Sequence, residues 1–401
     1  MRCAAIRREQ VVGFLYDPRC LDCHSLPAEE ADVPERMHQA TNAFDLLVSK
    51  HPASFRRLPP DECQGPLHLG RSDEQLLSLV HSSEYLKALE NEIGKIPEGD
   101  PVSVTKEPYL KKAWMTSDSM QAIHASVHVL CKATDLLFLG TMSSAFCAVR
   151  PPGHHAGING VPHGDPDNGF CLANNVVVAA KYAQEAHGVQ RVAIIDIDAH
   201  HGNGIEEASE EGSGILYMSV HACGMDEAQS AIHNDDCPIY PGTGKDSPHP
   251  FVANFPIWPK VTPEAMLDLA FPEIIRRLQA YRPELIIVAA GFDAHKEDPM
   301  QLGTLADKHY HTIASRVCEE ARQWGGCVLT ALEGGYCYPT KNKNQLQHLG
   351  RGIAAFCLGL AGQPMPKQLR ALPRVVRGSS SSSYSNAYDS SITFFLKKVN
   401  E

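Results

Sequence analysis

The chain has 401 residues, 43% hydrophobic and 21% charged, with a formal net charge of -11 and a pI near 6.0. That composition belongs to a globular protein with ample core, and its acidic balance excludes a general nucleic-acid binder, because no half of the chain supplies a basic stripe for phosphates. No apolar run approaches the ~20 residues a membrane helix needs, and MRCAAIRREQVVGFLYDP is too polar for a secretory signal, so a cytoplasmic and/or nuclear location is expected. Thirteen cysteines lack the short regular spacing of a disulfide scaffold, which predicts mostly reduced thiols.

In chain order, helical patterns cover 33–50, 72–93 and 113–139, and the apolar run SAFCAV (144–149) reads as a strand. A helix over 172–187 stops at Gly188, and the strands RVAIID (191–196) and ILYMSV (215–220) follow. Thr262 and Pro263 open a helix to residue 281, LIIVAA (285–290) is a strand, a helix over 305–324 ends at Gly325-Gly326, and CVLTAL (327–332) is a strand. The alternation predicts one large α/β domain with a central, mostly parallel sheet flanked by helices, over residues 11–365. Residues 1–10 form an N-terminal extension, and 366–401, containing RGSSSSSYSNAYDSS, read as a flexible Ser-rich tail. Cys20-Leu-Asp-Cys23-His24 spells a haem-attachment pattern, but five residues match by chance and an ordinary loop is expected.

The polar clusters fall where an open parallel sheet places its ligands, beyond the carboxyl ends of strands. RPPGHH (150–155), DIDAHHGNG (196–204), GFDAH (291–295) and EGGY (333–336) each follow one of the apolar runs. Any one alone would read as a capping carboxylate or a core histidine; four together point to a site. Asp196, Asp198 and His200 alternate along a strand and share one face, where unpaired carboxylates would be costly without a cation. Asp198, His200 and Asp293 make an oxygen–nitrogen–oxygen set, and three protein ligands with an open position suit catalytic zinc. His154 and His155 offer imidazoles for proton transfer, and Tyr336 a phenol able to donate to a developing oxyanion. Those are the parts for hydrolysing a carbonyl compound.

RPPGHH, GFC, DIDAHHGNG, GFDAH-x-x-DP and EGGY, in this order, resemble the zinc-dependent histone deacetylase family, class II-like in the HHGNG form with Asn203. The resemblance runs from about Val11 to about Gly362 and implies the arginase/deacetylase fold. It implies that Asp198, His200 and Asp293 hold one zinc ion. His155 would be general base and then general acid, His154 would assist electrostatically on Asp196, Asn203 would sit behind His155, and Tyr336 would polarise the amide carbonyl. Gly169 would contact the substrate amide, and Phe170 and Tyr240 would wall a narrow tunnel, although the family usually has phenylalanine at the latter position. Asp196 and Ser219 match a structural potassium site, Arg36 an arginine of the acetate channel, and Asp100 a rim carboxylate that holds the substrate backbone.

Two departures stand out. The connection AGINGVPHGDPDN between His155 and Gly169 is several residues longer than usual, bringing His163, Asp165 and Asp167 forward as possible substrate contacts. His295 occupies a place that is usually small in deacetylases. The related binuclear manganese ureohydrolases put a carboxylate there, but their D-x-H-x-D pattern ends here in Gly202, so His295 is expected to pack or to support the zinc ligands. The leading function is removal of acetyl groups from lysine side chains of histone or non-histone proteins. The alternative is an acetylpolyamine amidohydrolase, whose eukaryotic class II members carry a glutamate seven residues beyond the third zinc ligand, where this chain has Met300. A third reading is an inactive acetyl-lysine-binding or scaffold protein, which the competent residue at every matched position disfavours. The expected partners are therefore an acetylated protein or peptide, or an acetylated polyamine, with neither nucleic acid nor membrane.

Overall fold

Every residue of LIIVAA and CVLTAL is buried, the mark of strands covered on both faces by helices. The structure, a computed structural model, describes residues 11–27, 30–106, 109–162, 167–209, 212–223, 237, 239–247, 249–257, 262–337, 346–367 and 369. The strands are β1 (Val12–Tyr16), β2 (Phe55–Arg57), β3 (Val102–Lys106), β4 (Leu110–Met115) and β5 (Ser144–Ala148). They continue with β6 (Val192–Asp196), β7 (Ile215–Ala222), β8 (Val252–Ile257), β9 (Leu285–Ala290) and β10 (Cys327–Leu332). Eight of them form one parallel sheet in the order β2-β1-β5-β10-β9-β6-β7-β8, and β3 and β4 pair antiparallel as a separate hairpin.

The chain leaves β5, crosses to β6, runs outward through β7 and β8, then returns to fill the centre with β9 and β10. The sheet therefore switches direction about its middle, where parallel sheets open a crevice for ligands. Helices Glu35–Lys50, Pro263–Tyr281, Asp307–Gln323 and His348–Leu360 bury apolar side chains in one core, while Ser119–Phe138 and Asn175–His187 cover the opposite face.

The five strands read from the sequence are present, and the helix from Pro263 to Tyr281 has its predicted cap, the Thr262 hydroxyl accepting from the Ala265 N–H at 3.2 Å. The pattern over 72–93 is two helices, Asp73–Leu77 and Ser83–Ile93, because Ser82 supplies a second N-cap to the Tyr85 N–H at 3.2 Å. The pattern over 113–139 divides into the end of β4 and the helix Ser119–Phe138. The first segment of Cys20-Leu-Asp-Cys23-His24 is the short helix Arg19–Asp22 rather than a loop, and the buried His24 ring lies 2.8 Å from the Ser119 hydroxyl. Ten described cysteines are free, as the sequence leads one to expect, and Cys223 and Cys237 are paired as a disulfide. None of the described helices is long and apolar enough to cross a membrane.

Candidate active site

The four polar clusters leave β5, β10, β9 and β6, four consecutive strands at the centre of the sheet, and their register brings the strand ends level. Backbone hydrogen bonds carry the alignment past the strands. Ile197 N–H donates to Ala289 at 3.0 Å, Phe292 N–H to Gly334 at 3.0 Å, and Glu333 N–H to Ala290 at 3.0 Å.

Asp198, His200 and Asp293 converge there, with one ligand atom from each lying within 4.8 Å of the others. His200 Nδ1 is 3.0 Å from Asp198 Oδ1 and 2.9 Å from Asp293 Oδ2. Both carboxylates are at most 1% exposed, and Asp293 Oδ2, although close to His200 Nδ1, receives no hydrogen bond of good geometry. Glycines make the space. A Cβ on Gly334 would stand 2.7 Å from Asp293 Oδ2, and one on Gly291 would collide with the Asp198 carboxylate. Burial and the neighbouring Asp198 raise the pKa of Asp293, whereas Asp198, despite burial, is held well below the usual carboxylate range by His154 and His200. Two buried carboxylates and one imidazole, converging without a well-formed hydrogen bond to Asp293 Oδ2, fit a divalent cation with nitrogen and oxygen ligands.

The imidazoles of His154 and His155 lie 3.9 Å apart between centroids, each with a different partner. His154 Nδ1 is 3.1 Å from Asp196 Oδ2, and although burial opposes its charge, Asp198 and Asp196 push its pKa up to about 10. His155 Nδ1 is 2.7 Å from Asn203 Oδ1, and burial together with His154 and His200 drives its pKa well below the ordinary value. The surroundings of these adjacent residues thus push their pKa values in opposite directions, an arrangement that separates an electrostatic role from a base.

Tyr336 is 6% exposed, and burial followed by the fields of Asp293 and Asp198 keeps its phenol protonated. Its N–H donates to Asp298 Oδ2 at 2.8 Å, and the Arg36 guanidinium lies 5.3 Å over its ring. Arg36 also donates to the Gly335 carbonyl at 2.6 Å, to the Glu333 carbonyl and to Asp32. Phe170 adopts φ 64°, a strained value for a non-glycine residue, and its ring lies 6.2 Å from that of Tyr336. Tyr240 faces His155 at 4.9 Å and His200 at 6.1 Å, and its hydroxyl donates to the Asp167 carbonyl at 3.1 Å. A Cβ on Gly169 would meet both His155 and Tyr240. Gly169, Phe170, Tyr240 and Tyr336 thus gather beside His155 and His200.

Asp196 and Ser219 sit side by side in the β6–β7 register, and the Ser219 hydroxyl lies 2.8 Å from His221 Nδ1. His295 is buried, with Nε2 3.1 Å from Asp307 Oδ1 and its ring stacked against Tyr310 and His348, a packing environment. Asp100 is exposed in the segment before β3, and no described contact joins it to the cluster. His163 and Asp165 lie outside the described residues; Asp167 accepts the Gly169 N–H at 2.9 Å beside the approach. Three further buried groups, Asp32, Arg150 and Glu333, flank the site and carry no local sequence signal of a role there. Arg150 is held against Asp32, and Glu333 accepts two N–H groups from the histidine turn. The motifs RPPGHH and EGGY contain Arg150 and Glu333, but the partners that explain them are distant in sequence.

The family profile described as histone deacetylase domain matches residues 33–351. Type-2 histone deacetylase 2 of Dictyostelium discoideum is 30% identical over 362 residues, covering 82% of this chain and 20% of that protein. Polyamine deacetylase HDAC10 of Danio rerio is 30% identical over 348 residues, covering 85% of this chain and 46% of its own length. The chain thus spans less than half of either relative. The crystal structure of the HDA15 HD domain superposes with a TM-score of 0.67 at 25% identity, covering 89% of this chain and 90% of the other.

Proposed function

The chain belongs to the histone deacetylase family, and from that premise we propose that it is a zinc-dependent, class II-like amidohydrolase that removes acetyl groups from lysine side chains of proteins. The observation that carries this reading is the meeting, at the ends of four adjacent strands, of Asp198, His200 and Asp293 with a histidine pair whose two rings are held by different partners, His154 by Asp196 and His155 by Asn203. Zinc held by those three residues would supply Lewis acidity toward the amide carbonyl and toward a water molecule. The chain's own residues do the rest.

His155, neutral and oriented by Asn203, takes a proton from the attacking water and later delivers it to the leaving amine nitrogen. His154, paired with Asp196 at 3.1 Å, opposes the negative charge that develops beside it. Tyr336 donates its phenolic proton as a hydrogen bond to the carbonyl oxygen as that oxygen gains charge. Gly169, Phe170 and Tyr240 enclose an extended acyl-lysine chain, and Arg36, buried below Tyr336, faces the path for departing acetate. Potassium is assigned to Asp196 and Ser219, which are neighbours in the β6–β7 register. The catalytic domain is assigned to residues 11–365, between an extension at 1–10 and a tail at 366–401.

The second reading, deacetylation of polyamines, is favoured by the similarity to the Danio rerio polyamine deacetylase. Against it stands Met300, which places a thioether where the polyamine-selective members of the family place a carboxylate. A competition of rates decides between them. The zinc-loaded protein is expected to release acetate from an acetyl-lysine peptide with a higher kcat/KM than from N-acetylspermidine. The reverse order would establish the polyamine reading, and release from neither would leave a binding protein.

A further inference from the structure

Glu333 is fully buried, carries a carboxylate, and has no place in the proton transfers above. Its Oε2 accepts the N–H of Gly153 at 2.7 Å and the N–H of His154 at 3.2 Å, while Oε1 has no partner among the described residues. Its own carbonyl is held by Arg36, and the next residue, Gly334, donates its N–H to Asp198 Oδ2 at 2.7 Å. The turn that presents the histidines leaves β5 without a helix or strand to absorb those two successive N–H groups, and buried donors without acceptors are costly. One carboxylate oxygen accepts both.

We infer that Glu333 is a positioning residue that ties the tandem-histidine turn to the Gly334–Gly335–Tyr336 arm and so sets the distance between the imidazole pair and the phenol. The inference rests on the deacetylase reading for its kinetic consequence, but not for its geometric one. It has a chemical signature. Because a single oxygen makes both contacts, an amide oxygen at the same reach does the same work, whereas a shorter or absent side chain does not. A misplacement of the turn by about 1 Å costs about 100-fold in rate, since reacting groups lose their near-attack geometry.

The test compares the full-length zinc-loaded protein with Glu333→Gln and Glu333→Ala, using an acetyl-lysine peptide, zinc content, and crystal structures of all three. Glu333→Ala is expected to keep its zinc, to lose about 100-fold in kcat with KM within about threefold, and to display a displaced turn at Gly153–His155. Glu333→Gln is expected to stay within about threefold of wild type, with the turn in place. Should Glu333→Ala not fold, Glu333→Asp replaces it, since that carboxylate keeps its charge but not its reach. A turn that superposes in the alanine or aspartate variant overturns the inference, as does a glutamine variant as impaired as these. If wild type released no acetate, the functional reading would fail while the comparison of turns still decided this one.

Discussion

His155 Nδ1 lies 2.7 Å from the side-chain oxygen of Asn203. An amide oxygen accepts a hydrogen bond without adding charge, so Nδ1 keeps its proton and Nε2 presents its lone pair. Burial, together with the neighbouring His154, favours the neutral ring. Asn203→Asp sets a negative charge against that ring and raises its pKa. Because the neutral ring is the working base, the acidic limb of the kcat/KM profile should move to higher pH by about one unit or more. A limb that stays in place would remove His155 from this role.

Tyr336→Phe removes the donor to the carbonyl oxygen and leaves Phe170 and Arg36 their ring to pack against. The expected result is a fall in kcat of roughly two to three orders of magnitude with little change in KM. Near-normal turnover in steady-state kinetics contradicts the assignment.

Met300 should be a position where substrate preference can be moved. Met300→Glu introduces a carboxylate for the distant ammonium of a polyamine, and about 1.4 kcal/mol of attraction corresponds to a tenfold change. The ratio of kcat/KM for N-acetylspermidine to that for an acetyl-lysine peptide should therefore rise about tenfold. An unchanged ratio would show that residue 300 does not face the bound substrate.

Asp32 is fully buried between Arg36 and Arg150, with Arg150 Nε 3.1 Å from its Oδ2. Burial favours its neutral form, yet the two guanidinium groups prevail and hold its pKa below the usual range. A depressed folded-state pKa contributes stability that is present in full above the unfolded value of about 3.9 and is lost as pH falls through the folded value. Asp32→Asn leaves two buried cations facing one another and should cost about 3–5 kcal/mol in urea unfolding at pH 7, with the gap narrowing in acid. A loss of less than about 1 kcal/mol would contradict this account of the pair.

Much of this site was legible because its residues follow runs that a parallel sheet buries on both faces. LIIVAA and CVLTAL match β9 and β10 to the residue, and the clusters after them had nowhere else to go. The helix His348–Leu360 escaped for the opposite reason. All thirteen of its residues are buried, so it carries no polar stripe from which a 3.6-residue period could be read. The β3–β4 hairpin escaped because half-exposed LKKAWM has little apolar alternation and was absorbed into the helix after it. Glu333 was visible as a letter in EGGY, but its task depends on two N–H groups 180 and 179 positions earlier, which no local pattern encodes. Asp100 was legible only by resemblance, since an aspartate beside a glycine and a proline also satisfies a turn without any ligand.

Diffraction at the zinc absorption edge from crystals of the reconstituted protein measures the central claim most directly. The account predicts a single anomalous peak enclosed by Asp198, His200 and Asp293, absent in Asp293→Ala. No peak there in the wild-type protein, or a peak that persists in the variant, would contradict it.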